Sequence, residues 1–167
     1  KDGSLWIRLN WDKRYITLGA KATLLGMAFK CYDPNQLISE KKDLGITCAL
    51  IPRKTKGVIA GERHDPLGVP FYNCPLHGTD VEIPISAVIG AEKGLGKGWK
   101  MLMESLSAGR GISLPANCSG GIKLVARYVG AYTMIRKQFG LEIGKFEGIQ
   151  EPLSYIAGGT YLLEAAR

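Results

Sequence analysis

The chain has little from which to build a metal centre. Its four cysteines, Cys31, Cys48, Cys74 and Cys118, form no CxxC pair, and only His64 and His77 offer imidazoles. Zinc sites draw on paired, closely spaced ligands, so no metal site is expected. An even number of cysteines allows disulfides, but Cys48 stands inside the apolar run ITCALI, where a reduced, buried thiol is the common case. A reducing compartment is therefore expected: the cytoplasm, with a peripheral place on the inner membrane as the other option. No block of five like charges occurs, which speaks against a nucleic-acid arm, and no nucleic-acid partner is expected. There is no secretory signal pattern and no apolar run long enough to span a bilayer. No internal repeat or low-complexity tract is present.

What is there is ordinary in bulk. The 167 residues suffice for one domain or for two small pieces sharing a core, and an apolar share of 46% permits a real core. Lysine and arginine number 22 against 15 acids, a net charge of +7. That surplus favours an anionic partner, or reads equally as a mildly basic solvated surface.

The first ninety residues read as β-structure. SLWIRLNW alternates, with Leu5, Ile7 and Leu9 on one face; Asp12 and Lys13 mark a turn, and RYITL resumes the strand. ATLLGMAFKCY is a continuous apolar run suited to a strand buried on both faces. DPNQ is turn chemistry, and GITCALIP is a further buried strand stopped by Pro52. VIAGERHDPLGVPFYNCPLHG reads as loop-rich, and TDVEIPISAVIG as the last strand, with Val81 and Ile83 on one face.

From Gly98 the period becomes helical. Trp99, Leu102, Met103 and Leu106 open one stripe; Ile122, Val125, Val129, Tyr132, Ile135 and Phe139 continue it down a long helix. A kink or break is expected near Pro115, and Phe139-Gly140 reads as the helix stop. A second helix is expected from about Glu147, weakened by Gly158-Gly159 unless a neighbour packs close. The expected fold is α+β: a small antiparallel β-barrel or sandwich (1–95), then two long antiparallel helices (96–167). Their apolar stripes call for further helices, so a homo-oligomer is expected. TYLLEAAR stops inside a helical pattern, and a part of something longer is expected.

GLGKGW lies at the junction. A dinucleotide fingerprint needs GxGxxG and a distant acid, and a P-loop needs Ser or Thr after Gly-Lys. Here the spacing is GxGxG and Gly98 follows Lys97. The glycines read instead as a hinge that lets the helix N-terminus approach the β-structure closely.

The ordered set of motifs resembles the acyl-CoA dehydrogenase family. NWDKRYIT (Asn10 to Thr17) is similar to that family's N-G-x-K-x-W-I-T strand, with Trp11 where glycine is usual and Tyr15 where tryptophan is usual. IRKQFG (Ile135 to Gly140) is similar to its R-x-x-F-G box, and GKGWKMLMESLSAGRG to the helix that opens its C-terminal domain. With DLGITCALIP, GRGISLP and PLGVPF also present, the resemblance covers essentially the whole chain. It points to the long bacterial fatty acyl-CoA dehydrogenases of β-oxidation.

The resemblance implies roles residue by residue. Tyr15 would pack against the flavin of FAD and Thr17 would bond its polar edge; without the resemblance both read as solvated positions of an alternating strand. Arg136 would hold the diphosphate of FAD bound to a neighbouring subunit, with Gln138 and Phe139 beside it. Its guanidinium fork suits phosphate oxygens, though without the resemblance a solvated charge in a last helical turn is the favoured reading. Gln150 falls near a family glutamine at the adenine region. Arg110 matches a helical arginine that contacts acyl-CoA, although Ser107 replaces the aspartate that many relatives carry three residues earlier.

No catalytic residue is assigned. In most relatives the carboxylate base lies beyond the stretch matched here; in a minority it directly precedes the helical arginine, where this chain has Gly109, and Glu104 fits neither pattern. The implied parent oxidises fatty acyl-CoA to trans-2-enoyl-CoA and passes electrons to an electron-transfer flavoprotein, while the piece alone would be inactive. The alternative is a non-catalytic dimerising module that binds an anionic partner.

Overall fold

A computed structural model of the protein describes residues 3–68 and 70–167; Lys1, Asp2 and Val69, the last within PLGVPF, lie outside the described residues. The chain divides into two compact units, one running up to Leu102 and the other Met103–Arg167.

Five strands build the first unit: β1 (Trp6–Thr17), β2 (Leu24–Tyr32), β3 (Asp43–Pro52), β4 (Val58–Ala60) and β5 (Asn73–Pro84). They form two antiparallel sheets, a three-stranded one ordered β1-β5-β4 and the β2-β3 pair. Leu9, Leu25, Met27, Ala49, Ile51, Leu76, Val81, Ile83 and Val88 make one core from both sheets. Each fully buried aliphatic side chain there contributes about 1.5–3 kcal/mol relative to exposure. This is the sandwich form of the expected fold; among the described residues the sheets do not close into a barrel.

Several strand details differ from the sequence reading. Asp12 and Lys13 do not turn the chain: β1 runs through them, opposite His77 and Leu76. The Asp12 carboxylate meets His77 Nδ1 at 3.1 Å, so its charge is held at a solvent-facing position of the ladder. The strand absorbs its irregularity in two register shifts instead, at Leu9–Trp11 and Lys13–Ile16. β2 is buried on one face only, with Leu25, Met27 and Cys31 inward and Leu24 and Tyr32 outward, because a single core lies against its sheet. β5 starts at Asn73, inside the stretch read as loop, since pairing with both β1 and β4 outweighs the turn-forming look of NCPLHG. Trp11 lies over Gly78 across the ladder; a side chain at Gly78 would overlap the indole.

The glycines of GLGKGW answer to close approach. Gly96 donates its N–H to the buried Thr47 hydroxyl at 2.9 Å and has φ +71°, and a Cβ there would overlap the Leu44 carbonyl oxygen. A Cβ at Gly98 would lie 2.8 Å from the Ile46 carbonyl oxygen. The backbone at the start of α1 (Gly98–Ala108) thus rests directly on β3.

The second unit is helical. The break expected near Pro115 takes the form of a π-helical turn at Gly109–Ser113, after which α2 (Leu114–Ile135) begins with proline in its first turn. Ala108 and Leu114, on either side, keep right-handed helical geometry, so the helix swells without stopping. α2 ends at Ile135, not at Phe139. RKQFGLE then folds back as the two-residue strands β6 (Lys137–Gln138) and β7 (Leu141–Glu142), and α3 (Glu147–Ala166) follows.

α2 and α3 pack antiparallel through small side chains. Gly159 faces Ile122, Gly144 fits against Thr133, and Lys123 clasps Glu164 at 2.9 Å. The buried positions of α2 are Ser119 and Thr133, while Val125, Tyr132 and Ile135 of the predicted stripe lie outward. The stripe is divided: Ile122 meets α3 at Gly159, while Val125, Tyr132 and Ile135 do not lie inward.

Replacing Gly96 with alanine is expected to destabilise the first unit by about 2 kcal/mol or more, through a strained left-handed residue and a collision with backbone that cannot swing aside. Urea unfolding followed by circular dichroism reads this directly; an unchanged midpoint would refute the close-approach account.

Candidate functional site

The end of β1 gathers the polar and aromatic groups of the first unit. Ile16 turns toward the core, so its neighbours Tyr15 and Thr17 project from the opposite face. Neither is sealed in the sheet: Tyr15 is 61% exposed. The Tyr15 ring leans on the His64 imidazole, with centroids 4.4 Å apart and planes at 32°. Thr17 donates its hydroxyl to Asn73 Oδ1 at 3.2 Å, and Asn73 is also its partner in the β1–β5 ladder. The His64 N–H bonds the Asn73 carbonyl at 2.8 Å, which ties the loop after β4 to the same corner.

This corner carries positive charge. Lys21 and Arg63 each stand 5.7 Å from the Tyr72 ring centre. Tyr72 in turn accepts the Leu18 N–H on its carbonyl at 2.8 Å, so both cations belong to the rim around Thr17. No ion pair to an acid holds either cation among the described residues. A cleft of about 630 Å³, lined by Trp6, Arg8, Tyr32 and Leu37 among others, lies at the opposite end of β1 and includes neither Tyr15 nor Thr17. Volume alone would therefore choose a different place from side-chain chemistry. We favour the chemistry, because the Arg8 and Glu82 side chains in that cleft answer each other at 3.4 Å and the Asp33 carboxylate is taken up by backbone N–H groups, whereas the β1 corner leaves His64 Nε2 without a partner among the described residues.

In the second unit, Arg136 is the extended residue that caps α2. Its backbone is held at both ends: its N–H bonds the Tyr132 carbonyl and its carbonyl accepts the Ile143 N–H, each at 2.8 Å. The side chain is exposed, with no hydrogen-bond partner among the described residues. Gln138 and Leu141 pair across the hairpin, whose turn residues Phe139 and Gly140 have φ of +51° and +83°. Left-handed geometry suits glycine and strains phenylalanine, yet it aims Phe139 outward, 89% exposed and edge-on to Phe146 at 6.4 Å. Gln150, in the first turn of α3, donates its amide to the Gly144 carbonyl at 3.3 Å. Arg136, Gln138, Phe139 and Gln150 therefore share one corner around the α2–α3 connection.

Arg110 stands apart, exposed within the π turn. It lies 26 residues before Arg136 along a nearly continuous helix, roughly 39 Å at about 1.5 Å per residue. The two arginines of one chain cannot grip the same small group.

Among the described residues no cluster of His, Cys, Asp or Glu could hold a metal ion. Cys31, Cys48, Cys74 and Cys118 are free thiols; burial pushes the Cys31 and Cys48 thiols up, which makes them inert packing groups. Sequence reasoning missed His64 and Asn73. His64 lay in a loop with no periodic signal and was weighed only as a metal ligand; Asn73 becomes visible only through the register that sets it opposite Thr17.

The β1 corner fits a planar, polar-edged ring. It offers an exposed aromatic face, a hydroxyl with free lone pairs, and His64 Nε2, which is buried without a hydrogen-bond partner. Arg136 fits a phosphate, as an unpaired guanidinium on a rigid backbone.

The fold superimposes on the acyl-CoA dehydrogenase from Geobacillus kaustophilus with a TM-score of 0.74 and 26% identity, covering 97% of this chain and 40% of that one. It also matches the FAD complex of PigA, with a TM-score of 0.70 and 26% identity over 93% of this chain and 38% of that one. In sequence the chain is 32% identical over its whole length to the mitochondrial short/branched chain specific acyl-CoA dehydrogenase of Rattus norvegicus, spanning 36% of that enzyme. It is 54% identical over 104 residues to Protein HemX of Proteus mirabilis, covering 62% of this chain and 61% of HemX. No family model matches the chain. The chain belongs to the acyl-CoA dehydrogenase family, as a segment of little more than a third of such an enzyme's length.

The Arg136 hairpin has a testable electrostatic support. Hydrogen bonding from the Lys145 ammonium, 2.7 Å away, leads the causes that lower the Glu142 carboxyl from 4.5 to about 2; Lys137 adds to it from 3.5 Å. Because the folded value is depressed, this support is whole above pH 4.5 and is lost as pH falls toward about 2. Carboxyl carbon shifts of Glu142 should titrate near the lower value, with the Gln138 and Leu141 amides following; an unshifted midpoint would exclude the clasp.

Proposed function

We propose that this chain is the flavin-facing β-domain (1–95) and first C-terminal helices (96–167) of an FAD-dependent acyl-CoA dehydrogenase. Its substrates are fatty acyl-CoA thioesters of β-oxidation, and its product is the trans-2-enoyl-CoA. The observation that carries the reading is the exposed Tyr15 ring beside the Thr17 hydroxyl, held in place by Asn73 and His64. Family membership supports the cofactor. FAD, when bound, supplies the acceptor for the hydride that leaves the β-carbon as a carboxylate base takes the α-proton.

The chain's own residues divide the remaining work. Tyr15 offers the ring an aromatic face, and Thr17 offers its polar edge a hydroxyl. Arg136 takes a diphosphate with its forked donors, across a subunit boundary, while Gln138 and Phe139 shape the same hairpin and Gln150 stands near the adenine end. Arg110, some seven helical turns away, serves the acyl-CoA instead. No residue of the chain is assigned as the base, so the 167 residues alone bind without turning over. Electrons pass to an electron-transfer flavoprotein, the outward apolar rows of α2 and α3 meet further helices in a homo-oligomer, and the enzyme works in the cytoplasm.

Titrating the chain with FAD and following visible absorption through gel filtration tests this reading. Retained yellow colour is expected, weakened about tenfold by Tyr15→Ala and again by Arg136→Ala, in line with the loss of one strong contact each. Steeply salt-dependent nucleic-acid binding with no flavin retained would instead favour a non-catalytic module for an anionic partner. Sedimentation should give a dimer or larger; a clean monomer at high concentration would count against the helix-mediated assembly.

A further inference from the structure

His64 Nε2 poses a question that the family motifs do not answer. It is fully buried, yet it has no hydrogen-bond partner among the described residues. A neutral imidazole carries one donor and one acceptor nitrogen, and a buried one left unpaired is costly enough that native proteins hold few. Among the described residues one other buried side-chain nitrogen is in the same state, Trp11 Nε1. The Trp11 indole is wedged over Gly78 beside the cleft between β1 and β2, whose lining does not include Tyr15 or Thr17.

His64 is different because every other group that holds it belongs to the β1 corner. Its ring lies on Tyr15, 4.4 Å between centroids. Its backbone N–H, not its ring, is fixed on the Asn73 backbone carbonyl at 2.8 Å, and the Asn73 side chain accepts the Thr17 hydroxyl at 3.2 Å. His64, Tyr15, Thr17 and Asn73 thus form one stacked and bonded unit. Two of the four are the residues expected to meet a planar ring.

We propose that His64 is a third ligand-contacting residue of this wall, its Nε2 completing its hydrogen bond with the polar edge of a planar heterocycle lying on Tyr15. The inference rests on the flavin-wall reading above and deepens it. His64 then does two things: it sets the tilt of the Tyr15 ring, and it reads the ring edge for a donor or acceptor. A purely aromatic ring of the same size would satisfy the first role and leave Nε2 unpaired.

The test uses the full chain, with riboflavin (the ring system without the diphosphate) and FAD as probes. Binding is read by quenching of flavin fluorescence and by the visible spectrum of the bound ring. His64→Phe keeps an aromatic partner for Tyr15 but removes the nitrogen; it should weaken both probes about tenfold and alter the bound spectrum. His64→Gln restores a polar atom and should stay within about threefold of the unaltered chain. If circular dichroism shows His64→Phe misfolded, His64→Leu takes its place. Equal binding by the nitrogen-free variant and the unaltered chain would overturn the inference while leaving the flavin wall standing, as would equal weakening by His64→Phe and His64→Gln. Failure of the unaltered chain to bind either probe would sink the flavin wall itself, and this inference with it.

Discussion

The antiparallel ladder of β1 with β5 is the constraint on which the wall depends. It sets Thr17 opposite Asn73, and that register alone brings the loop bearing His64 over Tyr15. β5 can do this because it is pinned from both sides, by β1 and β4, while Cys74, Leu76 and Val81 are wholly buried beneath it. The core holds the strand, the strand holds the register, and the register places the polar groups. A slip of one residue would exchange the two faces of β1, sending Tyr15 and Thr17 inward and Ile16 out.

The junction with the first helix obeys the same economy of space. The run of glycines spaced two apart resembles a phosphate-cradling loop on paper. In three dimensions the segment is filled by the protein's own backbone: Gly96 bonds Thr47, and Gly98 lies against the β3 carbonyls. Such a segment has no room to wrap an anion. Helix α1 is thereby anchored where it starts, and the π turn at Gly109–Ser113 lets the chain carry Pro115 onward without losing helical direction.

Within the second unit, large and small side chains have divided their tasks. α2 meets the turn before α3 through Thr133 and Gly144, and α3 itself through Ile122 and Gly159, where close backbones need small groups. Val125, Tyr132 and Ile135 are left outward, so the apolar surface of the pair is not spent within it. The length of the helix also separates Arg110 from Arg136, by 26 residues along it. One stands in the π turn before α2 and the other caps its far end.

Much of this was legible in one dimension. Alternation at Ile7 and Leu9, Val81 and Ile83, the shift to a helical period at Gly98, and an ordered set of motifs determined the class, the family and the candidates Tyr15, Thr17, Arg110 and Arg136. These are local or periodic signals, and local signals survive in a string of letters. What only the tertiary structure decided was non-local: that Asp12 and Lys13 continue a strand, that NCPLHG pairs on both edges, that Val125, Tyr132 and Ile135 of the helical stripe lie outward while Ile122 meets α3, and that His64 belongs with Tyr15. Each of those outcomes turns on which distant segment lies alongside, a choice made by the pairing of backbones and the packing of one shared core. No residue's own propensity encodes it.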